Sequence, residues 1–355
     1  MSVATVAPPE PRLALRLGAF YFSSFATLGL NSPYFPLWLE SHGFRGAPMG
    51  VIAALSPAMS FFGPPLVGLL SDARGARGNL LSAACALGGS AMLGLSLCEL
   101  LGLSQLFGVV FAAVLVYAAC RSPMILLADR ITIEHGGDYG RRRVWGSVGF
   151  MLAAIAFGRW WPPGGARWLP AAMALTLAVA FVVSLSLPRS TNVARPPAAT
   201  AIGPARTLLE QPGFRAFLCG SVLAAASHSS YDLCGSLFFR DLGASEDTIG
   251  LLYGTAVLAE IVLLAGSGPL WSRLRPELVL VAAYAGAALR WSCLSLLAST
   301  SLAFLLQPLH AISFGLMWIA SLEYVRRVST PDVLGSAQGA FMAANACGGV
   351  LGMLS

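Results

Sequence analysis

The sequence predicts an all-α membrane protein built from two helical bundles. Three observations carry that expectation. Apolar runs of spanning length recur along the chain, arginines collect in alternate connecting segments, and the first two runs repeat 200 positions later.

Crossing the hydrocarbon core of a bilayer takes about 20 apolar helical residues. Runs of that kind lie at about 15–39, 47–70, 79–101, 104–127, 143–161 and 168–187. A polar, proline-rich stretch follows from Pro188 to Pro212, and the runs resume at about 214–239, 248–271, 278–298, 301–324 and 335–355. The expected organisation is a tail over 1–14, a six-helix bundle over 15–187, a linker over 188–213 and a second bundle over 214–355 with five helices present. Only 11% of the residues are charged and 56% are hydrophobic, against about a quarter charged in a soluble domain. Most of the surface is therefore expected to face lipid.

All 22 basic residues are arginine. With a cytoplasmic N-terminus, sixteen of them fall in inner segments, and only Arg45, Arg159, Arg167 and Arg240 fall in outer ones. This is the positive-inside bias, and it sets the expected orientation in a cell inner membrane. The net charge of +6 is spread over short connecting segments, so nucleic acid is not an expected partner. No cleavable signal pattern precedes the first span. The seven cysteines are scattered through apolar segments without metal or disulfide spacing and read as small packing residues. No metal or cofactor is expected.

The repeat aligns without a gap. Gly43, Gly50 and Gly68 meet Gly243, Gly250 and Gly268, Leu70 meets Leu270, and MGVIAAL from Met49 meets IGLLYGT from Ile249. Two parallel halves joined by an inner linker is one architecture of secondary transporters. A six-span offset also predicts a twelfth helix beyond Ser355, so the expectation is a fold with its last helix missing from the sequence.

The turn after the second span reads Gly68-Leu-Leu-Ser-Asp72-Ala-Arg74-Gly75-Ala-Arg77. It resembles the signature loop of the major facilitator superfamily, G-x-L-a-D-r-x-G-r-r, with Gly68, Asp72, Gly75 and Arg77 matching and Ala73 and Ala76 at commonly basic positions. The resemblance implies that this loop latches the cytoplasmic side during transport. NSPYFPLWLESHGF, YGRRRVWGSVGF, the segment from Ala226 to Ile261, ALRW and LHAISFGLMW look like the branch holding the phenylpropionate permeases, which is related to the lactose and nucleoside proton symporters.

Ionisable residues at mid-bilayer cost several kcal/mol, so they pair or line a wet cavity. Glu260, Arg290 and His310 each lie about 9–12 residues into consecutive spans, at similar depth given a rise of about 1.5 Å per residue. The resemblance to the lactose permease implies that these three form a proton-coupling cluster, with Ser313 where that permease has a second carboxylate. Further along the membrane interior, His228, Tyr231 and Asp232 share a helix face and are candidates for substrate binding or an outer gate. Arg121 could anchor an anionic solute, while Asp129 and Arg130, near the cytoplasm, are gate candidates. Pro33, Pro36, Pro57, Pro64 and Pro65 interrupt the first two spans, and kinks there would shape a cavity. Tyr34 and Trp318 are candidate wall residues, as are Phe35, Trp38, Trp145 and Tyr253.

The expected function is secondary active transport: proton-coupled symport of a small organic solute resembling an aromatic acid, by alternating access, in a monomer. Sugar or nucleoside symport is the alternative. A non-transporting membrane sensor with the same fold is the alternative of another class. No paired-acid or nucleophile constellation points to an enzyme, and no GxxxxGKS/T loop points to an ATP-driven pump.

Overall fold

A computed structural model describes residues 11–74, 77–135, 139–161, 164–189, 207–266, 274–330 and 333–355, the side chains of residue 65 and of 68–74 excepted. The chain divides into two compact units, Met1–Val193 and Ala194–Ser355. Among the described residues there is no strand.

The first unit holds α1 (Pro11–Ser41), α2 (Ala47–Arg74), α3 (Arg77–Leu100), α4 (Phe107–Glu134), α5 (Tyr139–Arg159) and α6 (Leu169–Ser184). The second holds α7 (Pro212–Asp241), α8 (Glu246–Gly266), α9 (Pro276–Ser295), α10 (Thr300–Val328) and α11 (Leu334–Leu354). Eight described helices are long and apolar enough to cross a membrane. The other three runs, α5, α7 and α11, are helical where spans were expected but more polar: α5 opens with three arginines and α7 carries the Ser-His-Ser-Ser-Tyr-Asp stretch.

Local signals place the helix ends. Pro212 and Pro276 sit in the first turns of α7 and α9, where a missing N–H costs nothing. Glu246 and Asp247 lie in the first turn of α8, favourably to its positive end. The repeat recurs in backbone geometry. Gly43 N–H bonds the Glu40 carbonyl at 2.9 Å and Phe44 N–H the Leu39 carbonyl at 3.0 Å; Gly243 N–H bonds Arg240 at 2.8 Å and Ala244 N–H bonds Phe239 at 2.9 Å. Both are Schellman endings, and both glycines hold positive φ, 83° and 84°. Gly268 and Leu270 lie outside the described residues.

Packing relies on small residues. In the first unit α1 packs on α5 and α6, α3 on α4 and α6, and α2 on α4; in the second α7 packs on α11 and α9 on α10. A Cβ on Gly29 would stand 2.1 Å from the Phe150 carbonyl oxygen, and one on Gly149 would stand 2.2 Å from that of Phe22. Gly348 and Gly352 bring α11 equally close to Val222 and Ala226 of α7. Such approach lets dispersion act between backbones where lipid gives helices no hydrophobic reason to associate. Leu175, Val182, Leu223, Leu278 and Leu305 are exposed on outer faces, a surface suited to acyl chains rather than water.

Helix α10 is not uniform. Its α-helical start, Thr300–Leu306, is followed by a π-helical turn over Ala311–Leu316 and an α-helical end, Met317–Val328. A π turn bonds i to i+5, so residues five apart come to share a face. That register places the site described next.

Candidate functional site

The second unit gathers the three charged or titratable residues expected near mid-span. Arg290 of α9 is fully buried. Its Nη1 donates to His310 Nδ1 at 3.3 Å and to Ser313 Oγ at 3.3 Å, and its Nη2 donates to Gln307 Oε1 at 3.4 Å. Aromatic rings cover the guanidinium, Tyr231 and Trp291 each centred 4.6 Å from its carbon. Cation–π attraction and three hydrogen bonds thus hold a charge that would otherwise be expensive in the membrane.

Arginine can only donate, so His310 accepts at Nδ1 and its Nε2 carries the proton when the ring is neutral. That Nε2 lies 3.7 Å from Glu260 Oε2 on α8. His310 therefore stands between the guanidinium and the carboxyl. The π turn completes the arrangement: Glu260 lies against both His310 and, five residues on, Gly315, where a Cβ would come 2.9 Å from Glu260 Cγ.

On α7, His228 Nε2 is 3.9 Å from Asp232 Oδ1, and the His228 ring is 5.3 Å from that of His310. Both imidazoles stack on Phe314, at 4.8 and 5.2 Å. Tyr231 donates to Gln307 Oε1 at 3.4 Å and stacks on Tyr253 at 5.9 Å, while Ser236 donates to the Tyr253 hydroxyl at 3.2 Å. Trp318 continues the aromatic row, 6.3 Å from Phe314 and 5.4 Å from Phe341, which belongs to a core cluster with Phe217 and Tyr324. Expected candidates His228, Tyr231 and Asp232 thus join Glu260, Arg290 and His310 in one cluster, with Trp318 at its end.

In the first unit, Asp129 accepts from Tyr21 at 2.7 Å and from Tyr139 at 3.1 Å, tying α4 to α1 and α5. Tyr21 also meets Thr132 at 3.1 Å. Arg143 lies 3.9 Å over the Phe25 ring. Arg121 sits on α4 with its Nε buried and without a hydrogen-bond partner, one turn from the buried Tyr117. Tyr34 is fully buried; its hydroxyl donates to the Ala154 carbonyl at 2.6 Å and its ring packs on Phe157 and Trp161. Its polar group is therefore spent on the α1–α5 contact. Arg130 is half-buried and lies near the end of α4.

Of the signature loop, Arg77 pairs with Glu134 at the end of α4. Gly75 and the side chains of Gly68, Asp72 and Arg74 lie outside the described residues. At the other end of these helices His42 Nε2 is 2.7 Å from Glu99.

Several participants were not expected. Gln307 is fully buried and precedes His310 by three positions, a spacing that could have flagged it. Trp291 adjoins Arg290 in sequence. Phe314 shares a helix face with His310, being four residues on. No sequence signal marks the π turn, Glu134 as the Arg77 partner, or Tyr21 as the Asp129 partner.

Apolar helices of spanning length, with a buried polar cluster inside the second unit, are the features of a polytopic membrane transport protein. The chain belongs to the family described as MFS_1 like family, whose model matches residues 14–354. It is 29% identical over 324 residues to the maltose permease of Geobacillus stearothermophilus, covering 90% of this chain and 80% of that one. It is 25% identical over 333 residues to the "Probable 3-phenylpropionic acid transporter" of Escherichia coli K12, covering 88% and 82%. The fold is similar to that of the nucleoside transporter NupG, with TM-score 0.79, 18% identity and coverage of 96% and 89%. It is similar also to a D-xylose–proton symporter, with TM-score 0.68, 14% identity and coverage of 95% and 87%. The protein is a secondary transporter of small solutes and not an enzyme.

Proposed function

We propose that the protein is a proton-coupled symporter of a small organic solute, working by alternating access as a monomer in a cell inner membrane with its N-terminus in the cytoplasm. Glu260 carries the proton. The observation that supports this reading most directly is the chain Arg290–His310–Glu260, with His310 accepting from the guanidinium at 3.3 Å and facing the carboxyl at 3.7 Å. An ionised Glu260 is favoured by the Nε2 proton of His310 and by the Arg290 charge behind it; a protonated Glu260 is favoured by the apolar surroundings. Movement of α8 against α10 changes the balance and so loads or releases the proton. A membrane potential of about 100 mV supplies about 2.3 kcal/mol per proton.

The solute is an aromatic acid or a compound like it. The aromatic surfaces of Tyr231, Trp291 and Phe314 support this, as does the similarity to a phenylpropionic acid transporter. A sugar or nucleoside is the second reading, supported by the similarity to maltose permease. Arg121, with its unpaired Nε, is an anchor for polar solute groups. Asp129, Arg130 and the loop with Asp72, Arg74, Gly75 and Arg77 form the cytoplasmic gate.

The test is the pH of an unbuffered suspension of energy-depleted cells as aromatic acids, sugars and nucleosides are added. Alkalinisation with one class, abolished by Glu260→Gln, is expected. Solute uptake without pH change, or unchanged uphill uptake in Glu260→Gln, would overturn the coupling role.

A further inference from the structure

At the end of the first unit away from the Asp72 loop, His42 and Glu99 make a contact that the proposed transport cycle does not use. His42 follows the last turn of α1, and Glu99 lies in the last turn of α3. His42 Nε2 stands 2.7 Å from Glu99 Oε2, with the two side chains only 10% and 14% exposed. The other ring nitrogen, Nδ1, stands 2.7 Å from the Trp38 carbonyl oxygen. A carbonyl oxygen only accepts, so Nδ1 carries a hydrogen. A bare Nε2 and a carboxylate at the distance observed would set lone pair against lone pair. One of the two therefore holds a proton, as imidazolium beside carboxylate or as neutral ring beside carboxylic acid.

The turn does not require this histidine. Position 242, which matches 42 in the repeat, is leucine, yet the Gly243 ending has the same two backbone bonds as the Gly43 ending. The ring is held by its own surroundings: the fully buried Trp38 lies 4.2 Å away centre to centre, and Ser41 Oγ is 3.1 Å from Nδ1. The charged groups at this end are accounted for. Arg45 pairs with Glu40 at 3.1 Å. Arg167, on the 3-10 turn Gly165–Trp168 that packs against α1, α3 and α6, lies 5.1 Å over the Trp168 ring. Arg159 closes α5, Cys98 adjoins Glu99, and the first turns of α2 and α4 carry no charge. Among the described residues, His42 and Glu99 form ion pairs only with each other.

We propose that His42 and Glu99 form a pH-dependent strap, joining the ends of α1 and α3 while they hold one proton between them and opening when it is lost. Helices α1 and α3 each pack on α6, so the strap closes the third side of that triangle. Only an N–H or O–H bond breaks: the proton passes to water, and the facing lone pairs then separate. The carboxylate left behind gains by reaching solvent, since a buried charge without a partner is costly. Acid therefore closes the strap and rising pH opens it. With the N-terminus in the cytoplasm this end faces outward, so the strap is closed when the outer medium is acid and the proton drive is largest. That sidedness rests on the proposed orientation; the strap itself does not.

Amide hydrogen exchange of the full chain in lipid, corrected for the intrinsic effect of pH on exchange, tests it. In the wild type, exchange over residues 39–44 is expected to rise by about tenfold as pH is stepped upward, because the end of α1 opens locally. The matched turn over 239–244, which lacks the histidine, is expected to show no such step. Glu99→Gln keeps an N–H donor for Nε2 at every pH, so its exchange is expected to stay slow throughout. Glu99→Ala removes the partner, and its exchange is expected to be fast throughout. Should Glu99→Gln not fold, His42→Gln takes its place, since an amide that does not titrate is also expected to abolish the step. A step that survives Glu99→Gln or His42→Gln, a step of equal size in both turns, or wild-type exchange without a step would overturn the strap. None of these outcomes involves Glu260, so its role in coupling stands or falls separately.

Discussion

The Cβ that Gly315 lacks would stand 2.9 Å from the Cγ of Glu260. Glycine at this point of the π turn lets the carboxyl lie along α10 within reach of His310. Gly315→Ala gains about 1 kcal/mol of helix propensity, which offsets the cost of displacing one flexible side chain. Stability is therefore expected to change little, while uphill accumulation falls by about tenfold, the effect of about 1.4 kcal/mol. Active uptake and solute exchange measured side by side check this: equal loss of both would show that Glu260 placement does not govern coupling.

The α1–α5 contact has no such give. Gly29 and Gly149 face backbone carbonyls at 2.1 and 2.2 Å, so an added methyl must push two helices apart. Gly149→Ala is expected to destabilise by about 3 kcal/mol or more, in the range of severe core overpacking. Gly339→Ala on α11, with nothing within 4 Å, is the control and is expected to be neutral or slightly stabilising. Thermal unfolding in detergent separates the two outcomes.

The matched helix endings at Gly43 and Gly243 predict matched responses. Their φ angles are 83° and 84°, with open space where a Cβ would go. Alanine at either position costs only the left-handed backbone penalty, about 1–2 kcal/mol. Equal falls in melting temperature for Gly43→Ala and Gly243→Ala are expected. A much larger fall at one of them would reveal a clash or contact that the open space does not account for.

The bond from Tyr21 to Asp129, 2.7 Å long, is charge-assisted and half-buried. Tyr21→Phe leaves Asp129 with Tyr139 at 3.1 Å and is expected to cost about 1.5–3 kcal/mol. Combining Tyr21→Phe with Asp129→Asn is expected to cost less than the sum of the single changes, because both remove one interaction. Additive losses in a denaturation double-mutant cycle would show that the two groups do not interact energetically.

Much of the helical layout was legible in the residues. Gly43 and Gly243 flagged the repeat, and Glu260, Arg290 and His310 stood out because charges in apolar runs are rare. Asp232 and His228 were visible as neighbours on one face. Their nearness to His310 was not, since it depends on how α7 and α10 meet. Tyr34 read as a cavity-wall residue, yet its hydroxyl is taken by the Ala154 carbonyl, a partner 120 positions away.

Sequence alone determined where the apolar helices run, where two of them end in the same motif, and which titratable groups are committed to the membrane interior. These follow from properties local to the chain: run length, turn-forming glycine and the cost of burying charge. Tertiary structure decided that Arg290 is bonded to His310, Ser313 and Gln307, that Gly315 rather than a larger residue meets Glu260, and that Arg77 finds Glu134. Each of these depends on a distance between helices or on the i to i+5 register of the π turn, and neither is encoded in the spacing of residues along one strand of sequence.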